Sequence, residues 1–415
     1  MINLILKGLT YELIAHPLGV DRSKFSRGWD NIATSLYIGK PLTNTNKITF
    51  KKMICSQSHV IGVDIDGKIW TWGNNGFGQL GINSTIIYVS SPTLLTESEK
   101  FKKIACGSHH TMALGFDDTL WSWGLDINGQ LGNSKRSEHA HRGYPCQVQT
   151  SNKFDKIFCG CEQSFAITKD GSTFACGCNR CGELGTGSNL TSVASLELIK
   201  GDIKFKKISS YDNVTFGFTF DGKVYAWGNN QNEELGIEST KSRSWSDDNY
   251  IDIPILVKYS DKINFRDIIY RCSRTFGISK EGQLYIWGYG EKEMRKINNY
   301  IIKTIMFGKF DDLAIDSNDE LLCWDTKDQT LLKKYKCKAK KIFATSEDAF
   351  IVDEDGSMYA YGGNESGGSG FGDNKPRDKL TKTNFMFILK KKNNLKNNFR
   401  KLLSIKKIMD VTFLS

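Results

Sequence analysis

Five cysteines lie close together in the sequence, at spacings from which a metal or redox site could be built. Two C-x-C steps and one C-x-x-C occur within FCGCE and FACGCNRCGELG. Thiolates at such spacings are the ligands of structural zinc sites and the reactive pairs of redox centres. The five residues are Cys159, Cys161, Cys176, Cys178 and Cys181. Whether they act together depends on the elements that carry them.

The cysteine-rich segment Phe174–Gly185 is one copy of a repeat. In each copy an aromatic stretch ends at a glycine, and Leu-Gly follows seven and eight residues later. The other well-kept copies are WTWGNNGFGQLG, WSWGLDINGQLG and YAWGNNQNEELG. Cys176 stands where these copies have tryptophan, so the cysteines fill ordinary repeat positions, and we predict no metal ion and no cofactor. The recurring glycines are Gly73, Gly81, Gly124, Gly132, Gly177, Gly185, Gly228, Gly236, Gly288 and Gly362.

The repeat extends through most of the chain. Each copy begins with a short basic motif, such as FKKM at Phe50 or FKKI at Phe101, and the strand-ending glycine follows twenty residues after its last position. Seven copies keep this spacing, and only the sixth has lost the glycine, with Asp325 in its place. Such persistence indicates a row of stacked supersecondary units rather than several unrelated domains.

Each unit has the pattern of four short antiparallel strands. Alternating apolar residues in stretches such as KIACGSHHTMALGFD fit two strands joined by a turn, and an Asp-Gly step such as Asp66-Gly67 precedes the aromatic strand. We predict that both residues of this step take positive φ, as in a tight hairpin. Four-stranded sheets that stack radially leave only short edges exposed. The predicted fold is therefore all-β, a seven-bladed β-propeller of four-stranded antiparallel blades.

The repeat divides the chain into three predicted regions. Residues 1–46 form an N-terminal segment that partly completes the propeller, residues 47–373 contain seven repeat units, and residues 374–415 form a basic Lys/Asn-rich segment ending in a closing strand. The two chain ends are expected to close the ring, which removes free sheet edges. Eight blades stay open as an alternative, if SLYIGKP near the N-terminus and IKKIMDVTFLS at the C-terminus form an extra blade.

The pattern W-G-x-N-x-x-G-Q-L-G, preceded by an Asp-Gly step and an aromatic strand, resembles the repeat of the regulator of chromosome condensation family. The resemblance covers roughly residues 47–373 and weakens in the sixth unit, where LCWD replaces the usual ending. It implies a seven-bladed propeller. Its implications for function are broader, because family members include guanine-nucleotide exchange factors, ubiquitin-ligase targeting domains, scaffolds and light sensors.

The remaining chemical groups in the sequence do not form a catalytic set. GFGQLG matches a dinucleotide-binding glycine pattern, but it recurs as a turn and opens no helix. His59 and His110 occupy one repeat position and are predicted to brace a turn by hydrogen bonds. HAHRGYPC could offer two imidazoles and a thiol to a metal ion, but the sequence supplies no second ligand pair. We find no nucleophile–base–orienter set and predict that the chain is not an enzyme.

Composition limits the remaining classes of protein. The chain has 39% hydrophobic residues, a net charge of +10 and no apolar run near the roughly 18 residues of a membrane span. We therefore predict a monomer without membrane contact, inside the cell in the cytoplasm or nucleus. Lys390–Lys407 contains eight basic residues and no acidic one. This stretch is either a solvated linker or a weak nucleic-acid contact.

Two connections depart most from the repeat, Asn133–Lys153 and Ile237–Asn264. Such loops often carry function on a rigid scaffold, so we predict that they bind a protein partner, with a small GTPase as one candidate. The predicted contact residues are Lys135, Arg136, His139, His141, Arg142, Arg243 and Trp245. The function predicted from the sequence is a non-catalytic interaction module that binds its partner through loops on one face.

Two other functions stay open. The first is nucleotide exchange on a Ran-like or other small GTPase. In the family this activity uses a protrusion formed where one Trp-Gly turn is lengthened, and the four best units here all keep the eight-residue spacing after the glycine. The second is a targeting subunit or fragment of a ubiquitin ligase, whose catalytic domain is not found in these 415 residues. The constant spacing favours the interaction module.

Overall fold

The computed structural model of the chain describes residues 48–96, 100–134, 141–238, 249–307, 312–325 and 330–389. All of them belong to one compact unit, Ile38–Ser415. These residues form strands, turns and irregular connections, and no α-helix occurs among them. None of the described residues therefore forms a helix long and apolar enough to cross a membrane.

The described strands follow the repeat along the chain. In order they are β1 Thr49–Cys55, β2 His59–Asp64, β3 Ile69–Asn74, β4 Tyr88–Leu94, β5 Phe101–Cys106, β6 His110–Gly115, β7 Leu120–Leu125, β8 His141–Gln147, β9 Lys156–Cys159, β10 Gln163–Ile167, β11 Thr173–Cys178, β12 Ser192–Leu198, β13 Phe205–Tyr211, β14 Val214–Thr219, β15 Val224–Asn229, β16 Tyr250–Leu256, β17 Phe265–Arg271, β18 Arg274–Ser279, β19 Gln283–Gly288, β20 Glu291–Phe307, β21 Asp312–Asp316, β22 Glu320–Asp325, β23 Thr330–Lys338, β24 Lys341–Ala344, β25 Asp348–Val352, β26 Ser357–Gly362 and β27 Arg377–Phe387.

These strands form seven antiparallel units of four. The first four units are β1–β4, β5–β8, β9–β12 and β13–β16. The 17-residue strand β20 serves two units, because its first half pairs with β19 and its second half pairs with β21. The fifth unit is therefore β17–β20, the sixth is β20–β23 and the seventh is β24–β27. The predicted all-β architecture of four-stranded antiparallel units is confirmed.

The first strand of each unit lies nearest the axis. Strand β1 contacts β5, β5 contacts β9, β9 contacts β13, and β13 contacts β17, while β24 contacts both β20 and β1. Strand β27 also pairs in parallel with β1 at Thr49 and Phe50. The seventh unit thus lies against the first. Since β27 spans Arg377–Phe387, the last unit continues beyond residue 373, where we expected the repeats to end.

The predicted roles of the chain ends fall outside the described residues. SLYIGKP (residues 35–41) and IKKIMDVTFLS (residues 405–415) both lie there, as does the basic stretch Lys390–Lys407. Closure by the two ends and the eight-bladed alternative therefore stay predictions. The contacts of the seventh unit with the first, through β24 and β27, involve neither segment.

The Asp-Gly turns differ from the sequence prediction. Gly67 has φ +90°, whereas Asp66 is not among the residues with positive φ. Gly67 N donates to Asp64 O at 3.1 Å and Asp64 N to Lys68 O at 3.0 Å. This is a three-residue loop in which a right-handed turn is followed by one left-handed residue. The prediction of two positive φ angles was wrong, because the loop is one residue longer than the two-residue hairpin assumed. Asp118 takes the left-handed position in the second unit, with φ 67°.

The hydrophobic core lies between neighbouring sheets. One cluster joins Ile61 and Ile69 of the first unit to Phe101, Ile104 and Trp123 of the second. A sheet in this fold buries its faces only when the next sheet stacks on it, which is why the repeat needs many copies.

A tryptophan latch fastens the first, second, fourth and fifth units to the unit before each of them. The indole Nε1 donates to a backbone oxygen in the preceding unit, at the position just before the Leu-Gly step or its equivalent, at 2.7–3.0 Å. The pairs are Trp72 with Gly368 O, Trp123 with Gln79 O, Trp227 with Glu183 O, and Trp287 with Glu234 O.

The same latch explains the second glycine of the repeat. A methyl group at Gly81 would lie 2.6 Å from Trp123 Nε1, and one at Gly236 would lie 2.6 Å from Trp287 Nε1. A side chain at this position would therefore collide with the next indole. In the third unit Cys176 takes the place of the tryptophan, with its Sγ 3.8 Å from Gln130 O. Cys176 therefore occupies an ordinary repeat position, as predicted, and no indole links the third unit to the second.

Candidate functional site

Two faces of the propeller differ in their connections. Because antiparallel strands alternate in direction, the turns between first and second strands lie at the same end as the connections between third and fourth strands. We call this end the loop face; in the first unit it comprises residues 56–58 and 75–87. We call the opposite end the turn face; it carries the turns between second and third strands, such as residues 65–68.

The structure describes only part of the predicted partner-binding set. His141 and Arg142 are not in a free loop, because both belong to β8 and pair with Leu125 and Gly124 of β7. His141 is exposed and Arg142 is half-buried. The other predicted contact residues, which lie outside the described residues, are Lys135, Arg136, His139, Arg243 and Trp245.

Part of the predicted binding segment also has a packing role. A methyl group at Gly78 of the first unit would lie 2.9 Å from the backbone nitrogen of Gly143 in β8. Asn83 N donates to Gly143 O at 2.8 Å. The start of β8 therefore supports the joint between the first two units. The connection Asn133–Lys153 is therefore not a free loop along its whole length.

Hydrogen bonds between turns cross the axis on the loop face. Gln57 Nε2, in the first unit, donates to Cys161 Sγ of the third unit at 3.2 Å. Ser346 N of the seventh unit donates to Gln57 O at 2.9 Å, and Ser108 N of the second donates to Cys161 O at 2.9 Å. Asp212 N of the fourth unit donates to Cys161 Sγ at 3.3 Å. The centre of this face is thus a network that fixes five units relative to one another.

The Cys161 thiol at the centre of this network is unreactive at neutral pH. Burial, with the nearby charge of Asp212, raises the pKa of Cys161 to about 12. The thiolate is the nucleophilic and metal-binding form, so a thiol that stays protonated at neutral pH is a poor nucleophile and a poor ligand. Among the residues that the structure describes, no three His, Cys, Asp or Glu side chains lie together so as to hold a metal ion.

The two repeat-position histidines act as braces, as predicted. His59 is fully buried, with Nδ1 2.8 Å from Ser56 Oγ in its own turn and Nε2 3.1 Å from Thr111 Oγ1 in the next unit. His110 Nε2 lies 2.9 Å from Ser164 Oγ of the third unit. Burial lowers the pKa of each imidazole to about 3. Both rings are neutral at physiological pH, and the Nε2 of each serves a joint between units, whereas His110 Nδ1 is buried without a hydrogen-bond partner among the described residues.

Carboxylates surround the axis on the loop face. Glu162 accepts a hydrogen bond from Asn128 Nδ2 at 2.9 Å, and burial raises its pKa. Asp212 lies in the corresponding turn of the fourth unit, and Glu347, which accepts from Ser366 N at 3.0 Å, lies in that of the seventh. This face therefore presents a polar, acidic centre rather than an apolar pocket.

The fifth unit lacks the Gly-x-Leu-Gly loop. Only Tyr289 and Gly290 separate β19 from β20, whereas thirteen residues separate β3 from β4. The side chain of Tyr289 is 60% exposed, and its carbonyl accepts a hydrogen bond from Arg274 Nε at 3.0 Å. The connection on the loop face therefore projects less far from the sheet in the fifth unit than in the first four units. Sequence reasoning aligned Gly288 and missed this, although the letters WGYGEKEM contain no Leu-Gly step.

The repeat, the tryptophan latch and the four-stranded units together are those of one known family. The family model described as RCC1-like domain matches residues 33–299. The chain belongs to the RCC1-like domain family. A solved structure has a similar fold. The crystal structure of Prp20p from Saccharomyces cerevisiae superposes on this chain with a TM-score of 0.60 at 17% sequence identity, and the match covers 81% of this chain and 87% of that chain.

Relatives by sequence carry several different functions. The ultraviolet-B receptor UVR8 of Arabidopsis thaliana is 25% identical over 64% of this RCC1-like chain and 60% of its own length. The probable E3 ubiquitin-protein ligase HERC3 of Homo sapiens is 29% identical over 50% of this chain and 20% of its own length. The chain thus spans less than two thirds of either relative. Family membership shows the fold and leaves the partner to be found.

Proposed function

We propose that this RCC1-like propeller is a non-catalytic protein-interaction module whose partner docks on the loop face. One observation carries the proposal: the departures from the repeat are concentrated on this face. The connection between third and fourth strands has 20 residues in the fourth unit, two in the fifth and four in the sixth, against 13 to 15 in the other units, whereas the turns between second and third strands on the opposite face have three to five. Variable loops on a rigid scaffold are the usual position of recognition surfaces.

The chemistry of the face supports binding rather than catalysis. The central thiol is protonated, the two brace histidines are neutral and buried, and the Nε2 of each bonds across a joint between units. Carboxylates such as Glu162 and Asp212 remain near the surface at the axis. A partner that offers basic side chains would complement them, and complementary charge gives selectivity and fast association.

Nucleotide exchange is the second candidate function. It is favoured by the structural likeness to Prp20p, a protein studied for its binding to Gsp1p and histones. An exchange factor shifts a GTPase only by its differential affinity for the nucleotide-free state. The family's lengthened Trp-Gly turn would provide the inserted element, yet the first four units keep one spacing and the fifth is shortened. We therefore place simple binding ahead of exchange, and a ubiquitin-ligase fragment behind both.

We also propose a monomer inside the cell, in the cytoplasm or nucleus. All 11 cysteines are free thiols, which fits a reducing compartment. Nucleic-acid contact through Lys390–Lys407 stays a prediction.

The proposal predicts that loop-face variants lose partner binding and turn-face variants keep it. The full chain would be used to capture a partner, which is then purified for affinity measurements. Arg142→Ala combined with Tyr289→Ala should weaken binding at least about tenfold, since both side chains lie on the proposed surface. Lys223→Ala, a similarly exposed change on the turn face, should leave the affinity unchanged. Equal affinities for all three proteins, or a loss caused only by Lys223→Ala, would refute the loop face as the docking surface.

A further inference from the structure

The end of the axis on the turn face is ringed by basic side chains. They come from the second and third positions of the start motif, at the beginning of each first strand. Of these fourteen positions eleven are basic, two are the acids Asp155 and Asp267, and one is Thr304. We call the basic members the axial basic ring: Lys51, Lys52, Lys102, Lys103, Lys156, Lys206, Lys207, Arg266, Lys303, Lys340 and Lys341.

Several of these side chains link one first strand to the next. Lys103 Nζ lies 3.1 Å from Asp155 Oδ1 on the chain leading into β9, and Lys156 Nζ donates to Lys206 O on β13 at 3.1 Å. Lys207 Nζ lies 2.6 Å from Asp267 Oδ1 on β17. Because the first strands surround the axis, these contacts follow the ring from unit to unit.

The ring holds more positive charge than its neighbours neutralise. Among the described residues the side chains of Lys52 and Lys206 make neither a hydrogen bond nor an ion pair. Lys52 is exposed to solvent, yet burial lowers its pKa, and the charge of Lys103 beside it acts in the same direction. Such a cation, exposed to solvent beside a second ammonium group, gains from an anion that approaches both.

The surroundings of the ring limit the size of that anion. The turns outside it carry four lysines and a larger number of carboxylates, which form an acidic rim: Asp66, Asp117, Asp118, Asp170, Asp221, Glu281, Asp319, Asp353, Glu354 and Asp355, against Lys68, Lys169, Lys223 and Lys280. Ring members already pair with some of them, as Lys102 does with Asp118, and Lys303 with Asp319 at 2.5 Å. An extended polyanion such as a nucleic-acid duplex would cross this rim and be repelled. A compact one would meet only the basic centre.

We propose that the axial basic ring binds a compact organic polyphosphate, a small molecule of the inositol polyphosphate class. Phosphate groups carry close to two negative charges each and accept several charge-assisted hydrogen bonds. Lysine ammonium groups on flexible stems can converge on such groups from several strands at once. This site lies on the face opposite the proposed partner surface, so it is independent of that function.

The test is titration of the full chain with inositol hexakisphosphate by calorimetry in about 0.15 M salt. We expect one molecule bound per chain. Lys52→Gln combined with Lys206→Gln should weaken binding at least about tenfold. The double variant should fold normally, because neither side chain loses a hydrogen bond or ion pair to any residue that the structure describes; equal melting temperatures without ligand would verify this.

The matched control also removes two lysine charges, but from the turns between second and third strands on the turn face. Lys223→Gln combined with Lys280→Gln should leave the affinity unchanged, because both residues lie outside the ring. Failure of the wild-type chain to bind saturably would overturn the proposal, as would equal weakening by the control pair. Displacement of the ligand by duplex DNA or by an acidic peptide at equal charge concentration would also overturn it, since the rim should exclude extended polyanions.

Discussion

Replacing Trp227 by alanine is expected to lower the free energy of unfolding by about 3–5 kcal/mol. The indole is fully buried, and its ring centroid lies 5.6 Å from that of Phe205 in its own unit, with the two ring planes tilted by 43°. Its Nε1 donates to Glu183 O of the preceding unit at 2.9 Å, and Gly185 closes over it. Removal would leave a cavity between two sheets and take away one of the two hydrogen bonds that Glu183 O accepts, the other coming from Thr215 Oγ1 at 2.8 Å; both effects destabilise.

The third unit supplies the matched control for the latch. Cys176→Ala changes the same repeat position but removes only a thiol, so its cost should be well below that of Trp227→Ala. Urea unfolding followed by circular dichroism gives both values. Trp227→Phe should fall between them, at about 1–2 kcal/mol, because it removes the donor and retains much of the packing. Similar losses for Cys176→Ala and Trp227→Ala would show that the indole does not fasten the units.

The second large effect is on the pH dependence of stability. His59 and His110 have pKa values lowered to about 3 in the folded protein by burial, against an ordinary value near 6.5 in the unfolded chain. Folding therefore favours the neutral rings. The stability that this gives is complete above pH 6.5 and is lost as the pH falls from 6.5 towards 3, at about 1.4 kcal/mol per pH unit for each histidine.

Glutamine at both positions should remove this pH dependence. Glutamine fits the site, because Gln163 occupies it in the third unit and donates to Asp212 O at 2.9 Å. Relative to His59→Gln/His110→Gln, the wild-type protein should lose about 4 kcal/mol between pH 7 and pH 5. Denaturant unfolding at several pH values measures the difference, in which all other titrating groups cancel. Parallel curves for the wild type and the double variant would contradict the buried, neutral state of the two rings.

The fold could be predicted from the sequence because the residues whose contacts determine it recur at a fixed interval. Glycine is needed at Gly73, where φ is +101° and a side chain would meet the Ser58 carbonyl, and at Gly81, where it would meet Trp123. Since six units repeat the first of these contacts and four joints repeat the second, the letters recur at a fixed spacing. The conformation of the Asp-Gly turns was predicted wrongly, because a dipeptide does not reveal whether its loop has two or three residues.

The site was less predictable, because its contacts join distant parts of the chain. Gln57 and Cys161 are 104 residues apart and meet only when seven first strands surround one axis. The basic start motif could be recognised in the sequence at the beginning of each unit. Its lysines and arginines come together as a ring only because the seven first strands surround one axis. His141 and Arg142 looked like loop residues, since nothing in HAHRGYPC announces a strand that pairs with β7.

The most direct test of the proposed function is the release of labelled GDP from purified Ran-like and Rab-like GTPases in the presence of the full chain. A non-catalytic interaction module predicts the same release rate with and without the chain, while an authentic exchange factor accelerates release in the same assay. Acceleration by the chain that disappears in Arg142→Ala/Tyr289→Ala and persists in Lys223→Ala would contradict simple binding and establish exchange through the loop face.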